Sequence, residues 1–280
     1  MPSVIMDGKA LAAKVYEDLK LRVETLKSRG VVPGLAVILV GDDPASMVYV
    51  RNKARACERL GINSKVVRLP GDIGEDGVIE RVEELNRDAE INSMLVQLPL
   101  PKGMDENRVL GHIAPEKDAD GITSVNAGAL LNGTVGALPC TPRGIIELLK
   151  EYSFPLSGAN AVVIGRSNIV GKPVSLLLQR ENCTVTMCHS RTKNLPDIIK
   201  QADVLVVAIG RPGFVTGDMI KPGAAVIDVG INRLDNGKLM GDVDFKTASE
   251  IAGFITPVPG GVGPMTIAML MKNTVEAAEK

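Results

Sequence analysis

Aromatic side chains, excess charge and long apolar runs are scarce or absent in this sequence of 280 residues. With three Tyr, four Phe and no Trp, few rings are available to stack on the bases of single-stranded nucleic acid. The net charge of −1 and the lack of a basic tract argue against nucleic acid and anionic membranes as partners. No apolar run reaches about 18 residues, so we expect no membrane-spanning segment. The hydrophobic content of 45% indicates a globular protein with a sizeable core.

Cysteine is also sparse, and its spacing contains no C-x-x-C motif: the four residues are Cys57, Cys140, Cys183 and Cys188. The opening sequence MPSVIMDGKALAAK matches neither a secretory signal nor a transit sequence, so we expect a cytoplasmic protein with reduced thiols. Cys140 could act as a nucleophile, but neither of the two histidines lies near it in sequence. We therefore interpret Cys140 as a small buried thiol.

The chain does contain a regular alternation of apolar runs and amphipathic segments. The run LAVILV at 35–40 ends in a glycine, which is typical of a strand buried inside a parallel sheet. Helix and strand patterns then alternate as far as MLVQL at 94–98. This order predicts an α/β domain with a mostly parallel sheet flanked by helices. Ligands bind such sheets outside the carboxyl ends of the strands.

A helix over residues 43–61 follows the first of these strands directly, and both of its ends are marked. Asp43 can cap the N-terminus, Pro44 suits the first helical position and Gly61 suits the position after the C-terminal cap. The helix therefore begins at the edge of the sheet where a ligand is expected.

One face of this helix carries polar groups within an apolar stripe. Ser46, Tyr49 and Lys53 fall within an arc of about 60°, and Lys53 is the only cation on that side. Apolar surroundings disfavour the charged form of a lysine, so we expect Lys53 to accept a proton near neutral pH. Tyr49 could donate a hydrogen bond or stack on a flat ligand. The helix alone leaves another interpretation open, in which Lys53 extends to solvent beside a core tyrosine.

Further polar candidates follow the third strand. Gln97 lies at its end, at the same edge of the sheet, although an amide there could simply cap the strand. Asp118 and Asp120 lie in the loop PEKDADGIT at 115–123, which could be a plain turn. No third acidic residue follows at the spacing of a calcium loop, so we expect no metal site.

A second α/β pattern begins after PCTP at 139–142, where we place the domain boundary. The sequence AVVIGRSNIVGKP at 161–173 predicts a strand, a turn at Gly165 and a helix, as in a dinucleotide-binding turn. Ser167 replaces the second glycine of G-x-G-x-x-G, which weakens the match. Strand patterns at 184–188, 202–210 and 224–230 follow at α/β spacing. We therefore expect a Rossmann-like dinucleotide-binding domain over residues 141–263.

The second strand of this domain ends in His189-Ser190-Arg191 and lacks the carboxylate that would bind a ribose 2′-hydroxyl. A guanidinium binds two phosphate oxygens at once, which suits the 2′-phosphate of NADP. Arg166, Ser190 and Arg191 could converge on that phosphate, so we expect NADP to be preferred over NAD. Arg191 could instead be a solvated surface charge.

The sequence TPVPGGVGPMT at 256–266 concentrates glycine and proline. It predicts a rigid loop whose backbone amides could face a ligand, although it could also be a linker between domains. The helix over 264–280 is apolar at Met265, Ala268, Met269 and Met271. We expect it to pack back on the first domain, which covers residues 1–140.

Six stretches together carry a resemblance to one family: SMVYVRNK at 46–53, VQLPLP at 96–101, KDADG at 117–121, PCTPRG at 139–144, GRSNIVGKP at 165–173 and TPVPGGVGPMT at 256–266. In this order they resemble bifunctional methylenetetrahydrofolate dehydrogenase/methenyltetrahydrofolate cyclohydrolase, over nearly the whole chain. The resemblance implies NADP-dependent oxidation of 5,10-methylenetetrahydrofolate to 5,10-methenyltetrahydrofolate, then hydrolysis to 10-formyltetrahydrofolate. It further implies a folate-binding first domain and a homodimer built through the nucleotide domain, without the synthetase domain of some relatives.

The resemblance also assigns roles to residues. It implies that Lys53 is the catalytic lysine, that Tyr49 lies against the pterin, that Gln97 orients Lys53 and that Asp120 binds the pterin amino groups. Further substrate contacts would come from Ser46, Leu98, Pro99, Pro257, Gly260 and Gly261. Cofactor contacts would come from Gly165, Arg166, Ser167, Ser190, Arg191 and Ile231.

Two other functions remain open on the residues. A short-chain dehydrogenase also uses Tyr-x-x-x-Lys with an upstream Ser, but there the motif follows the nucleotide turn, whereas Tyr49 precedes Gly165. The other alternative is a non-catalytic nucleotide-binding module, against which the set of Lys53, Gln97 and Asp120 argues.

Overall fold

The computed structural model describes residues 2–280, which form two compact α/β units. The elements in chain order are β1 (Val4–Ile5), α1 (Gly8–Ser28), β2 (Gly34–Val40), α2 (Pro44–Leu60), β3 (Asn63–Leu69), α3 (Gly74–Arg87), β4 (Ser93–Val96), α4 (Glu106–Gly111), α5 (Ser124–Asn132), α6 (Cys140–Glu151), β5 (Asn160–Ile164), α7 (Gly171–Arg180), β6 (Thr184–Cys188), α8 (Leu195–Ile199), β7 (Val204–Val207), β8 (Ala225–Asp228), β9 (Asn232–Arg233), β10 (Leu239–Met240), α9 (Phe245–Ala248), β11 (Phe254–Ile255) and α10 (Val262–Ala278). Short 3₁₀ helices occur at Pro115–Lys117 and Gly217–Met219.

The three-stranded unit comprises Lys14–Cys140 and Ile267–Lys280. Its parallel sheet has the order β3-β2-β4, and the central strand β2 is buried at all seven residues. A strand covered on both faces needs a continuous apolar run, which is why LAVILV predicted it correctly. Strand β4 ends at Val96, two residues earlier than expected, so Gln97 is the first residue beyond it.

The six-stranded unit comprises the residues up to Ala13 and Thr141–Thr266. The strands of its main sheet are all parallel and have the order β1-β11-β8-β7-β5-β6, and β9 and β10 form a separate antiparallel pair. After β5 the chain forms β6 on one side and β7 on the other. The sheet order therefore reverses at β5, and open α/β sheets bind ligands at such a reversal. The two α/β units with parallel sheets confirm the predicted fold class.

The N-terminal residues differ from the predicted division of the chain. The sequence assigned residues 1–140 to the first domain, but β1 pairs with β11, with Val4 N donating to Gly253 O at 2.8 Å. Residues up to Ala13 therefore belong to the six-stranded unit. A strand of two residues has no recognisable pattern, so sequence alone could not reveal this pairing. The division after Cys140 coincides with the expected boundary.

The C-terminal helix α10 returns to the three-stranded unit, as the sequence predicted. Thr274 Oγ1 accepts a hydrogen bond from Ser93 Oγ at 2.9 Å, and the Asn273 amide donates to Ala119 O at 2.8 Å. Met269, Leu270 and Met271 are at most 1% exposed.

Among the described residues, no helix is both long and apolar enough to cross a membrane.

Candidate active site

Helix α2 presents the first group of candidate residues, and both of its predicted ends are confirmed. Asp43 Oδ2 accepts a hydrogen bond from Ser46 N at 2.7 Å, and Pro44 opens the helix. Gly61 adopts φ 69°, a left-handed conformation in which its N–H reaches the carbonyl of Cys57. The helix is therefore fixed at the carboxyl end of β2 by its own sequence.

The three polar side chains on one face of α2 are exposed to solvent to different degrees. Ser46 is buried, Lys53 is half-buried and the side chain of Tyr49 is exposed, with 44% of its surface accessible. An exposed phenol ring beside a half-buried lysine leaves an accessible flat surface. This is where a planar ligand could stack.

The side chain of Gln97 reaches Lys53 in a defined orientation. Lys53 Nζ donates to Gln97 Oε1 at 3.1 Å, while Gln97 Nε2 donates to Leu98 O at 2.7 Å. Because the amide nitrogen is committed to the Leu98 carbonyl, the amide oxygen must face Lys53. Gln97 N also donates to Ile38 O at 2.8 Å, which holds the residue against the sheet. Gln97 thus offers Lys53 a neutral acceptor in a fixed position.

The two aspartates of the KDADG loop have different surroundings. Asp118 is buried and accepts hydrogen bonds from Gly121 N, Thr123 N and the Asn126 amide at 2.8–2.9 Å. It therefore shapes the loop and has little capacity left for a ligand. The sequence could not distinguish it from Asp120.

Asp120 lies in the electrostatic field of Lys53. Burial raises the pKa of the Asp120 carboxyl above its ordinary value, the positive charge of Lys53 opposes that rise, and Asp118 adds to it. Lys53 thus favours the ionised form of the Asp120 carboxyl, against the effects of burial and of Asp118. The loop that carries Asp120 is anchored by Ala119 N, which donates to Met94 O at 3.0 Å. Lys53, Gln97 and Asp120 therefore form one polar cluster within the three-stranded unit.

Two residues outside the predicted site support this cluster. Cys140 is 5% exposed, which confirms it as a buried thiol, and its Sγ donates to Ala119 O at 3.3 Å. A hydrogen bond from the same thiol lowers the pKa of Asp120. Asn273 donates from its amide nitrogen to Ala119 O and to Leu138 O at 2.8 and 2.9 Å. Nothing in the local sequence around Asn273 indicates this contact.

The other expected substrate residues fall into two places. Leu98 and Pro99 follow Gln97 directly and are half-buried and exposed, respectively. Pro257, Gly260 and Gly261 belong to the six-stranded unit, where they line a cavity of about 140 Å³ with Lys9 and Ile231.

Among the described residues, no group of three or more His, Cys, Asp or Glu side chains could hold a metal ion.

The turn between β5 and α7 departs from the usual glycine pattern because a hydroxyl closes it. Ser167 Oγ accepts hydrogen bonds from Val170 N at 3.1 Å and Gly171 N at 3.2 Å. Gly165 adopts φ 128°. A Cβ on Gly171 would lie 2.2 Å from Gly165 O, so the turn and the helix pack with backbone against backbone.

A cavity of about 290 Å³ opens beside this turn, at the carboxyl ends of β5, β6 and β7. Three predicted cofactor residues line it: Gly165, Arg166 and Ser190. Ser167 and Arg191 are exposed and do not belong to its lining, and Ile231 lines the smaller cavity instead. The lining also includes Arg211 and Phe214, which sequence reasoning did not single out.

Two buried carboxylates hold the loops around the larger cavity. Asp242 is fully buried and accepts hydrogen bonds from the backbone N–H groups of Ile209, Gly210 and Arg211 at 2.7–2.9 Å. Asp228 in turn accepts from the backbone N of Asp242 at 2.9 Å. Burial raises the pKa of Asp228 to about 6, against the lowering effect of its backbone hydrogen bonds. This pair explains how a loop without regular structure keeps one conformation.

Two family models match the chain. One is described as tetrahydrofolate dehydrogenase/cyclohydrolase, catalytic domain, and matches residues 6–120. The other is described as tetrahydrofolate dehydrogenase/cyclohydrolase, NAD(P)-binding domain, and matches residues 139–280.

Individual proteins are similar over their full lengths. A bifunctional protein FolD from Moorella thermoacetica is 55% identical over 280 residues, which cover 100% of both chains. The crystal structure of the bifunctional enzyme FolD, a methylenetetrahydrofolate dehydrogenase/cyclohydrolase from Campylobacter jejuni, is 48% identical, with a TM-score of 0.98 over 99% of each chain. The Trypanosoma brucei enzyme, solved with NADP cofactor and inhibitor, is 40% identical, with a TM-score of 0.95 over 100% of this chain and 98% of that one.

Proposed function

Because this chain belongs to the tetrahydrofolate dehydrogenase/cyclohydrolase family, we propose that Lys53, Gln97 and Asp120 form its catalytic centre. The chain is a bifunctional enzyme of one-carbon metabolism. It oxidises 5,10-methylenetetrahydrofolate to 5,10-methenyltetrahydrofolate with NADP and hydrolyses the product to 10-formyltetrahydrofolate. The observation that carries the assignment of the centre is the 3.1 Å hydrogen bond from Lys53 Nζ to Gln97 Oε1, in the same cluster as Asp120.

The six-stranded unit fits the cofactor. NADP, when bound, accepts the hydride that leaves the methylene carbon of the substrate. The packing of Gly165 against Gly171, where a Cβ would clash, fits the strand-to-helix turn at which a dinucleotide-binding sheet places the pyrophosphate. Arg166 and Ser190, in the lining of the adjacent cavity, supply donors for the 2′-phosphate. The preference for NADP over NAD follows from these donors and from the lack of a carboxylate at the end of β6.

Hydrolysis requires water to add to the methenyl cation and then to lose a proton. The cation is already the electrophile, so the protein has to supply a proton acceptor and hold it in place. Lys53 Nζ assists the transfer of the proton of the adding water, and Gln97 holds this nitrogen through the amide oxygen. Gln97 accepts a hydrogen bond from either protonation state of Lys53, so the amine stays in place throughout the step.

Asp120 and Tyr49 make the main contacts with the pterin in this proposal. The Asp120 carboxylate accepts hydrogen bonds from the amino and ring N–H groups of the pterin, which is a charge-assisted arrangement. The exposed ring of Tyr49 lies against the pterin face, and Ser46 supports the start of the same helix face. Leu98, Pro99, Pro257, Gly260 and Gly261 are the further substrate contacts, and Ile231 is a further cofactor contact, as the family resemblance implies.

The proposal includes a homodimer built through the six-stranded unit and a cytoplasmic location, both of which rest on the family resemblance. Sedimentation velocity of the purified protein tests the assembly. A single species at twice the chain mass of 29.6 kDa is expected, and a monomer across the concentration range would contradict it.

A spectrophotometric assay of the purified protein tests the proposed function. With 5,10-methylenetetrahydrofolate and NADP, we expect absorbance of the reduced nicotinamide to accumulate. With 5,10-methenyltetrahydrofolate alone, we expect its absorbance to decay faster than in buffer. NAD in place of NADP should give a lower kcat/KM. A protein that is silent in both assays would support a non-catalytic nucleotide-binding module.

A further inference from the structure

The cavity of about 290 Å³ is lined by two arginine side chains, although an uncharged nucleoside would require no cationic partner. Its lining comes from the loops after three adjacent strands and consists of Ile164, Gly165, Arg166, His189, Ser190, Leu195, Ala208, Ile209, Arg211 and Phe214. Two of these side chains are guanidinium groups, and none is a carboxylate. Among the described residues, no salt bridge joins either Arg166 or Arg211 to an acidic side chain. Two unpaired like charges that share one cavity repel each other unless an anion lies between them.

Arg211 is held at the wall of this cavity by its backbone. Its N–H donates to Asp242 Oδ1 at 2.8 Å, and the two preceding residues donate to Oδ2 of the same buried carboxylate. The guanidinium lies over the ring of Phe214, with Cζ 4.7 Å from the centroid. A cation on an aromatic face is stabilised but not neutralised, so its N–H donors stay available to a ligand. Arg211 is thus a positioned cation without an anionic partner.

The residues after β6, on the other side of the cavity from Arg211, indicate which anion would bind between them. The end of the second strand of a nucleotide-binding sheet is where the ribose hydroxyls lie. Here that end, after β6, carries His189 and Ser190. His189 Nδ1 lies 3.2 Å from Arg191 N and accepts its hydrogen, so a neutral imidazole carries its proton on Nε2. Donors therefore line the ribose end of the cavity from the β6 side, and Arg211 lines it from the β7 side.

We propose that Arg211 binds the 2′-phosphate of NADP together with Arg166 and is a specificity-determining residue of this enzyme. The assignment rests on the proposed use of NADP. Arg191, which the sequence suggested for the same role, is exposed and outside the lining of the cavity. A guanidinium binds two phosphate oxygens at once, so we expect Arg211 to increase the affinity only for ligands that carry the 2′-phosphate.

Isothermal titration calorimetry with two probes tests this assignment without turnover. Adenosine 2′,5′-bisphosphate carries the 2′-phosphate, whereas adenosine 5′-monophosphate lacks it. Arg211→Gln should weaken binding of the bisphosphate by about 10- to 100-fold, the range of a charge-assisted hydrogen bond. Its affinity for the monophosphate should stay at the parent value. Arg211→Lys should lie in between for the bisphosphate, because it keeps the charge and loses the fork.

Matched controls separate the possible failures. Lys193→Gln removes an exposed cation from the segment after β6 and should change neither affinity, whereas Arg166→Gln should reproduce the loss for the bisphosphate. An equal loss for both probes in Arg211→Gln would mean stacking on adenine and would overturn the proposal, as would no loss for either. A parent enzyme that binds both probes equally would refute NADP preference itself. A thermal unfolding midpoint equal to the parent's confirms that the variants are folded.

Discussion

The substitution Gly171→Ala tests the close packing of the turn that would hold the cofactor's pyrophosphate. Gly171 is the first residue of α7 and is buried, and its backbone conformation suits any L-residue. The added Cβ would lie 2.2 Å from Gly165 O and 2.9 Å from Arg166 Cα, whereas ordinary contact begins at 3.4 Å. Both neighbours are backbone atoms, so no side chain can rotate away. The helix and the turn must separate by about 1 Å.

The expected cost follows from that displacement. Overpacking a tight site destabilises a protein by about 1–3 kcal/mol, which exceeds the helix-propensity gain of at most about 1 kcal/mol from Gly to Ala. The same movement displaces the turn that would hold the pyrophosphate, so we expect NADP to bind at least about 10-fold more weakly, the scale of one lost charge-assisted hydrogen bond. Urea unfolding and titration calorimetry measure the two effects.

The control is Gly128→Ala, within α5. There no atom lies within 4 Å of the added Cβ, so the substitution should stabilise the protein by about 0.5–1 kcal/mol and leave NADP binding unchanged. A Gly171→Ala variant with the parent's unfolding midpoint and NADP affinity would refute the packing argument. Equal damage from both variants would refute it too.

Two further predictions concern carboxylates. Asp120→Ala should weaken binding of a folate analogue and lower both activities together, with NADP affinity unchanged in a parallel titration; the reverse pattern would contradict its role at the pterin. Burial raises the pKa of Asp228 from its ordinary 3.8 to about 6, so this group makes the folded state less stable as pH rises from about 4 to 6, by about 3 kcal/mol in total. The gap in unfolding free energy between the parent and Asp228→Asn, measured in urea from pH 4 to pH 7, should therefore shift by about that amount in favour of the variant. A gap independent of pH would show that the carboxyl does not titrate in this range.

Features that depend on neighbouring residues could be predicted from the sequence. The ends of α2 are an example, because Asp43, Pro44 and Gly61 each act within the adjacent turn of the helix. The polar face with Tyr49 and Lys53 follows from helical periodicity alone. Strand β2 was also located correctly, since its burial shows in the continuous apolar run of its own side chains.

Contacts across long sequence separations could not be predicted. Asn273 reaches the carbonyl of Ala119, 154 positions earlier, and no local pattern requires an amide there. Asp118 and Asp120 are alike in sequence, and only the donors around Asp118 separate a loop-forming carboxylate from one that faces Lys53. Arg211 follows β7, whereas the phosphate-binding pattern in the sequence covers only the turn after β5 and the end of β6, so no pattern in the sequence indicated it.

Lys53 is the proton acceptor in the proposed hydrolysis, and a comparison of two variants of α2 tests this role directly. The rate of 5,10-methenyltetrahydrofolate hydrolysis is measured for Lys53→Met and for Arg51→Met, which removes an exposed cation from the same helix. The hydrolysis rate of Lys53→Met should be at least about 100-fold below that of the parent, the scale of general acid–base assistance. Its dehydrogenase activity should fall by less. Arg51→Met should stay within about twofold of the parent, as expected for a surface substitution. A Lys53→Met enzyme that hydrolyses the methenyl compound at the parent rate would contradict the proposed centre.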